Sequence, residues 1–169
     1  MYEFTRKDGT RVRYQFANAK EGDEAMIERW NNTVRDCDKV YVLGDVAFHR
    51  DDLATVGKLN GKKILIKGNH DNLQLSEYAK YFKDIRATHR LDNEILSHIP
   101  IHPTSLWREK KECYMRNIHA HLHAESVRLC DMQDGEDGVE PDLRYFSVCV
   151  ERINYTPISI DEIRKRVLQ

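Results

Sequence analysis

Cysteine is sparse and never paired in this chain: Cys37, Cys113, Cys130 and Cys149 stand apart, and no CxxC occurs. A disulfide framework and a thiolate-bound structural zinc are poor fits, and a reduced, cytoplasmic protein is the expectation. Long apolar runs are missing too. No stretch approaches the ~20 residues of a membrane helix, and the polar start Tyr2 to Arg13 does not read as a signal peptide. Nor does charge of one sign dominate: 27 Lys and Arg meet 28 Asp and Glu, for a net −1. Without a basic footprint, neither duplex nucleic acid nor an anionic membrane is an expected partner. No internal repeat or linker divides the 169 residues, which suffice for one domain with a real core.

What is present is centred on Lys62 to Asp71, KKILIKGNHD. The apolar run Ile64, Leu65, Ile66 is short and β-branched, so it predicts an interior strand. Gly68 permits a tight turn at its carboxyl end, which delivers Asn69, His70 and Asp71 to the edge where open α/β sheets bind ligands. By itself Gly-Asn is also an ordinary turn dipeptide.

Other segments repeat the pattern. Asn18 and Glu21 predict a capped start for an amphipathic helix over residues 20–35, with Met26, Ile27, Trp30 and Val34 on one face. KVYVL at Lys39 to Leu43 predicts a strand ending in Gly44-Asp45. Leu53, Val56 and Leu59 suggest a short helix closed near Gly61, and Leu75, Tyr78 and Phe82 suggest another. Alternating strands and helices are the rhythm of a layered α/β domain. Arg86 to Leu91 and Glu94 to Ser97 predict two strands joined at Asp92-Asn93, the second ending at His98. A loop from 99 to 115, long enough to cover a site, includes Trp107. Tyr145 to Val150 predicts a last strand, and Ser159 with Glu162 a capped terminal helix. Before all of these, Met1 to Phe16 reads as a hairpin around Asp8-Gly9, and the acidic, Gly-rich residues 124–142 read as an exposed loop.

RNIHAHLH, at Arg116 to His123, concentrates three of the chain's 8 histidines within five residues. On a continuous strand His119, His121 and His123 would share one face. If the backbone leaves the sheet after His119, His121 and His123 can instead reach different metal positions. Asp45, Asn69, His98, His121 and His123 thus form a mixed oxygen and imidazole set. Such a set suits Mn²⁺, Fe²⁺, Ni²⁺ or Zn²⁺ better than calcium.

The ordered elements GD at Gly44-Asp45, GNHD at Gly68 to Asp71, SHIP at Ser97 to Pro100 and HAHLH at His119 to His123 resemble those of the calcineurin-like metallophosphoesterases. Small bacterial and phage-type members are the nearest in kind, and the likeness runs on through FSVCVERINYTPIS. The resemblance implies a layered α/β/β/α sandwich in a single domain over residues 1–169, hydrolysing phosphodiesters or phosphomonoesters at two divalent ions. It implies that Asp45 bridges the metals, that Asn69, His98 and His121 complete one site, and that His123 serves the other. His70 would contact the scissile phosphate and assist the leaving group, with Asp71 orienting it. His119 would act behind the ligands or beside the phosphate.

Two departures stand out. Ala120 replaces a family glycine, and the family's opening strand with its Asp-x-His ligand pair has no counterpart ahead of MYEFTRKDGT. The expectation is a truncated relative, or a misplaced start, whose first metal keeps only Asp45 and His123. His49, Asp51 or Asp52 could substitute. An exposed edge beside the Lys39 to Leu43 strand would then favour oligomers. The expected partner is a small phosphoester, nucleotide-like compounds included. A non-catalytic remnant that binds metal or phosphate, and a nucleic-acid module built on the basic hairpin, are the competing readings.

Overall fold

The computed structural model describes residue 9 and residues 16–108, 111–112, 114–130 and 137–166. The hairpin expected over Met1 to Phe16 therefore lies almost wholly outside the described residues. So do the side chain of Trp107 and most of the acidic run 131–139.

Helix α1 spans Ala19–Thr33. Its N-terminus is closed as the sequence suggests, with the Asn18 side chain accepting from the Glu21 N–H at 3.0 Å. The Glu21 carboxylate reaches back to the Ala17 N–H at 2.8 Å. The first contact satisfies a donor that the opening helical turn leaves unpaired, and the second ties down the residue ahead of the cap. Trp30 donates its indole N–H to the Asn60 carbonyl at 3.0 Å, which docks the helix on the chain ahead of the second strand.

Strand β1 (Lys39–Val42) is followed by the single-turn α2 (Arg50–Leu53), which continues as a 3₁₀ segment to Lys58. Strand β2 (Lys62–Ile66), one-turn helix α3 (Leu75–Tyr78) and strand β3 (Asp84–Arg86) come next. The first sheet has the order β1-β2-β3, all parallel, and β1 is an edge strand among the described residues. The helix expected through Phe82 stops at one turn. Lys83 already donates its N–H to the Lys63 carbonyl at 2.8 Å, so the chain must be extended by then.

Strand β4 (Thr88–Leu91) turns at Asp92, where φ is 53°, into strand β5 (Glu94–Ser97). The single strand expected over 86–91 is thus two strands in two sheets. Arg86 pairs with Ile66 in the first sheet, whereas Thr88 pairs with Ser97 in the second, and only Ala87 lies between. Short pairs follow: β6 (Trp107–Arg108) with β7 (Lys111–Glu112) in the loop after β5. Then come β8 (Arg116–His119), β9 (Arg128–Cys130), β10 (Asp137–Pro141), β11 (Tyr145–Ser147) and α4 (Ile160–Arg166). β9 and β10 pair antiparallel, so the acidic segment expected as plain loop is flanked by a ladder. The second sheet is ordered β11-β8-β5-β4, with β11, β8 and β5 parallel and β4 antiparallel.

Burial follows this mixed α/β arrangement. One cluster joins Leu65 of β2 to Leu53, Val56, Tyr78 and Phe82 of the helical connections. A second joins Leu43 and Ile66, from the first sheet, to Leu96 and Ile118 of the second and to Ile163 of α4. The Arg164 guanidinium fixes α4 to the β4–β5 turn, donating to Glu94 at 2.9 and 2.8 Å and to Asp92 at 2.8 Å. Among the described residues, no helix is long and apolar enough to cross a membrane.

Candidate metal centre

Two glycines allow the loops after β1 and β2 to touch. Gly44 has φ of 79°, and a Cβ there would lie 2.5 Å from the Gly68 nitrogen and 2.7 Å from His98 Nδ1. A Cβ on Gly68 would overlap Asp45 Oδ1 and sit 2.6 Å from the Asp45 nitrogen. Only hydrogen fits in either place. Asp45 itself takes a left-handed backbone, φ 55°, which aspartate tolerates better than most residues.

Asp71 binds these loops together. It is fully buried, and its carboxylate accepts the N–H groups of Gly68 at 2.8 Å, Asp45 at 2.9 Å and Val46 at 3.0 Å. Where Asp71 is expected to orient His70, the hydrogen bonds seen for it go to the backbone. Its oxygens are directed at backbone donors 25 and 26 residues earlier in the chain, and at Gly68. His70 is held instead through its own N–H, which donates to Asp45 Oδ1 at 2.9 Å, and its exposed ring lies against Phe48.

His98, buried at the end of β5, is the hub. Its Nδ1 is 2.6 Å from the Leu43 carbonyl oxygen, which can only accept, so the ring proton resides on Nδ1. Nε2 then presents a lone pair. Around it stand Asn69 Oδ1 at 2.9 Å, Asp45 Oδ2 at 3.2 Å and His121 Nδ1 at 3.3 Å. Ligand atoms of Asp45, His98 and His121 all lie within 4.8 Å of one another. With the His121 ring proton on its Nε2, these four atoms all present lone pairs inward and repel unless a positive charge sits among them. A second proton on His98 would serve one pair of atoms, whereas a divalent ion would serve all four. Ligands ~2.1 Å from such an ion are spaced roughly 3.0–3.4 Å from each other in octahedral or tetrahedral geometry. The three separations from His98 Nε2, 2.9–3.3 Å, lie close to that range.

Each sheet supplies half of this set. Asp45 and Asn69 follow β1 and β2 of the first sheet, and His98 and His121 follow β5 and β8 of the second. The backbone leaves the sheet after His119 and turns left-handed at His121, φ 68°, and at His123, φ 52°. That turn brings His121 toward His98, with ring centroids 5.1 Å apart. Burial, and next the neighbouring His98, hold the His121 imidazole below its ordinary pKa, which favours the neutral ring with one nitrogen free for a cation.

His123 is not part of this group. It is exposed, and its Nδ1 lies 3.6 Å from Glu151 Oε1, whose side chain is only 7% exposed. Glu151 is a residue that sequence reasoning missed; the signal was its place in the VER triplet just after the last strand. His119 is buried, with Nδ1 donating to the Ala120 carbonyl at 2.8 Å. Asn117 was missed as well. Fully buried, it donates to Ile95 O and Ser97 Oγ, both at 2.9 Å, and accepts the Ile101 N–H at 2.9 Å. It thereby fixes the two ends of the turn that presents His98.

No family model matches the chain. Over 160 residues it is 31% identical to the uncharacterized protein MJ1445 of Methanocaldococcus jannaschii, covering 90% of this chain and 78% of that one. Its fold is similar to the crystal structure of AQ665 from Aquifex aeolicus, a protein of unknown function, with a TM-score of 0.63 and 23% identity. That likeness covers 90% of this chain and 88% of the other. At that identity the second likeness speaks for the fold. The first is close and complete enough to decide kinship: the chain belongs to the family of MJ1445.

Proposed function

We propose that the protein is a metal-dependent phosphoesterase of the calcineurin-like metallophosphoesterase type, built as a layered α/β/β/α sandwich and acting in a reducing cytoplasm. The observation that carries this reading is the set of inward-facing lone pairs around His98 Nε2. Asp45, Asn69, His98 and His121 would hold one divalent ion, of the Mn²⁺, Fe²⁺, Ni²⁺ or Zn²⁺ class. His123 and the second oxygen of Asp45 would serve another. Such a pair supplies a water of lowered pKa and offsets charge on the phosphoryl oxygens of a diester or monoester. The protein's own groups do the rest. The Leu43 carbonyl fixes the tautomer of His98, and Asp71 holds the Asp45 loop in register with Asn69. The exposed His70 ring, at the mouth of the cluster, would give a proton to the departing oxygen.

The test is to strip the protein with chelator, reload it with Mn²⁺, and follow both metal content and hydrolysis of bis(p-nitrophenyl) phosphate and p-nitrophenyl phosphate. Turnover that requires metal and is abolished by Asp45→Asn supports the proposal. Stoichiometric metal with no turnover of either ester would leave the non-catalytic metal- or phosphate-binding reading in its place.

A further inference from the structure

Six large apolar side chains are exposed among the described residues, and three of them, Phe48, Leu75 and Ile99, lie just beyond the ligand-bearing turns. Phe48 is the most firmly presented. Two residues before it, the Val46 N–H is tied to Asp71 Oδ1 at 3.0 Å. One residue before it, Ala47 is buried in the helix-side core. With the backbone pinned and Ala47 turned inward, Phe48 faces outward and stays 50% exposed. One side of its ring meets the His70 imidazole, centroids 5.3 Å apart at 49°. The His70 N–H in turn contacts Asp45. A half-exposed aromatic ring therefore packs on a residue whose backbone binds the proposed ligand Asp45.

We infer that Phe48 is a specificity-determining residue, a stacking platform for the nucleobase of a nucleoside phosphate whose phosphoryl group lies at the metal cluster. The inference rests on the phosphoesterase reading and names its substrate class. Stacking on an aromatic ring accepts any base, because every base has a π-face, and preference then follows stacking strength. Purine nucleotides are accordingly favoured over pyrimidine nucleotides. The ribose joins a phosphate among the ligands to a base over the Phe48 ring.

The experiment measures inhibition of bis(p-nitrophenyl) phosphate hydrolysis by AMP and by ribose 5-phosphate, which lacks the base. Wild type, Phe48→Ala and Phe48→Trp are each assayed with Mn²⁺. If the protein does not turn over, the same two ligands are titrated directly by calorimetry, so loss of the phosphoesterase reading does not obscure the result. AMP is expected to bind about tenfold more tightly than ribose 5-phosphate, given the usual strength of base–aromatic stacking. Phe48→Ala should erase that advantage without weakening ribose 5-phosphate, and Phe48→Trp should restore it. Equal binding of the two ligands by wild type overturns the inference. So does an equal loss for both in Phe48→Ala, or the absence of AMP binding by either method.

Discussion

The ring proton of His98 points at the Leu43 carbonyl oxygen 2.6 Å away, so the end of one sheet sets the tautomer of a histidine carried by the other. Its free Nε2 is the atom around which Asp45, Asn69 and His121 gather. His98→Ala should therefore weaken Mn²⁺ uptake by more than the roughly 10–100-fold typical of losing a supporting partner. His123→Ala, outside the cluster, should leave this ion's affinity unchanged. Calorimetric titration of the chelator-stripped proteins decides it, and equal binding by His98→Ala and wild type would remove the cluster from consideration.

Asp71 is expected to matter more for stability than for chemistry. Its removal in Asp71→Ala leaves three N–H donors without their acceptor in a buried place, a loss of about 3 kcal/mol or more. His70→Ala, at an exposed ring, should stay within about 0.5 kcal/mol of wild type. Urea unfolding of the metal-free proteins gives both numbers. Similar midpoints for the two variants would contradict the bracing role.

Gly44→Ala and Gly68→Ala should each separate the β1 and β2 loops. At Gly44 the left-handed backbone adds roughly 1–2 kcal/mol of strain to the contact with Gly68. Both variants are expected to lose metal as well as stability, because the added methyl displaces Asp45 or His98. A crystal structure or metal titration showing either variant with an unaltered site would refute the close-approach account.

His89 links stability to pH. Its ring stacks on Tyr41 at 4.8 Å, and Nε2 lies 2.9 Å from the Tyr41 hydroxyl. Burial first, then the charges of Arg86 and Lys39, hold its pKa below the ordinary value, while Asp84 opposes them. The folded protein thus takes up this proton less readily than the unfolded chain. The contribution is complete above the unfolded value of about 6.5 and is lost as pH falls through the lowered one. The urea midpoint should drop between about pH 7 and pH 5, and the drop should be smaller in His89→Gln. An identical pH slope in the two proteins would exclude His89 as a contributor.

How much of this could be read beforehand depends on the range of the interaction involved. Ile64 to Ile66 and the turn at Gly68 are local, and both the strand and the placement of Asn69 follow from them. The departure of the chain from the sheet after His119 was also open to view, since alternating histidines admit either course. The bracing contacts of Asp71 were not legible because its neighbour His70 offers a nearby partner, whereas the partners seen include N–H groups at positions 45 and 46. The break at Ala87 was invisible for a related reason. Residues 84–91 are compatible with one extended strand, and only their partners, Ile64 to Ile66 on one side and Glu94 to Ser97 on the other, divide it. Glu151 lies in the VER triplet after the last strand, but only the fold sets it beside His123.

That single residue, Ala87, has a mechanical consequence. It joins the outer strand of one sheet directly to the outer strand of the other, a tether about 7 Å long at full extension between Arg86 and Thr88. Sliding the sheets past one another would have to stretch or fold that tether, so shear between them is limited near this seam. The four groups around His98 Nε2 are drawn equally from both sides of the seam. The joint at Ala87 thereby supplements the direct tie between Leu43 and His98 in holding that spacing, much as the pivot of a caliper keeps its jaws aligned. A glycine or an inserted residue at position 87 would loosen that pivot and broaden the spread of distances at the far end, without altering a single ligand.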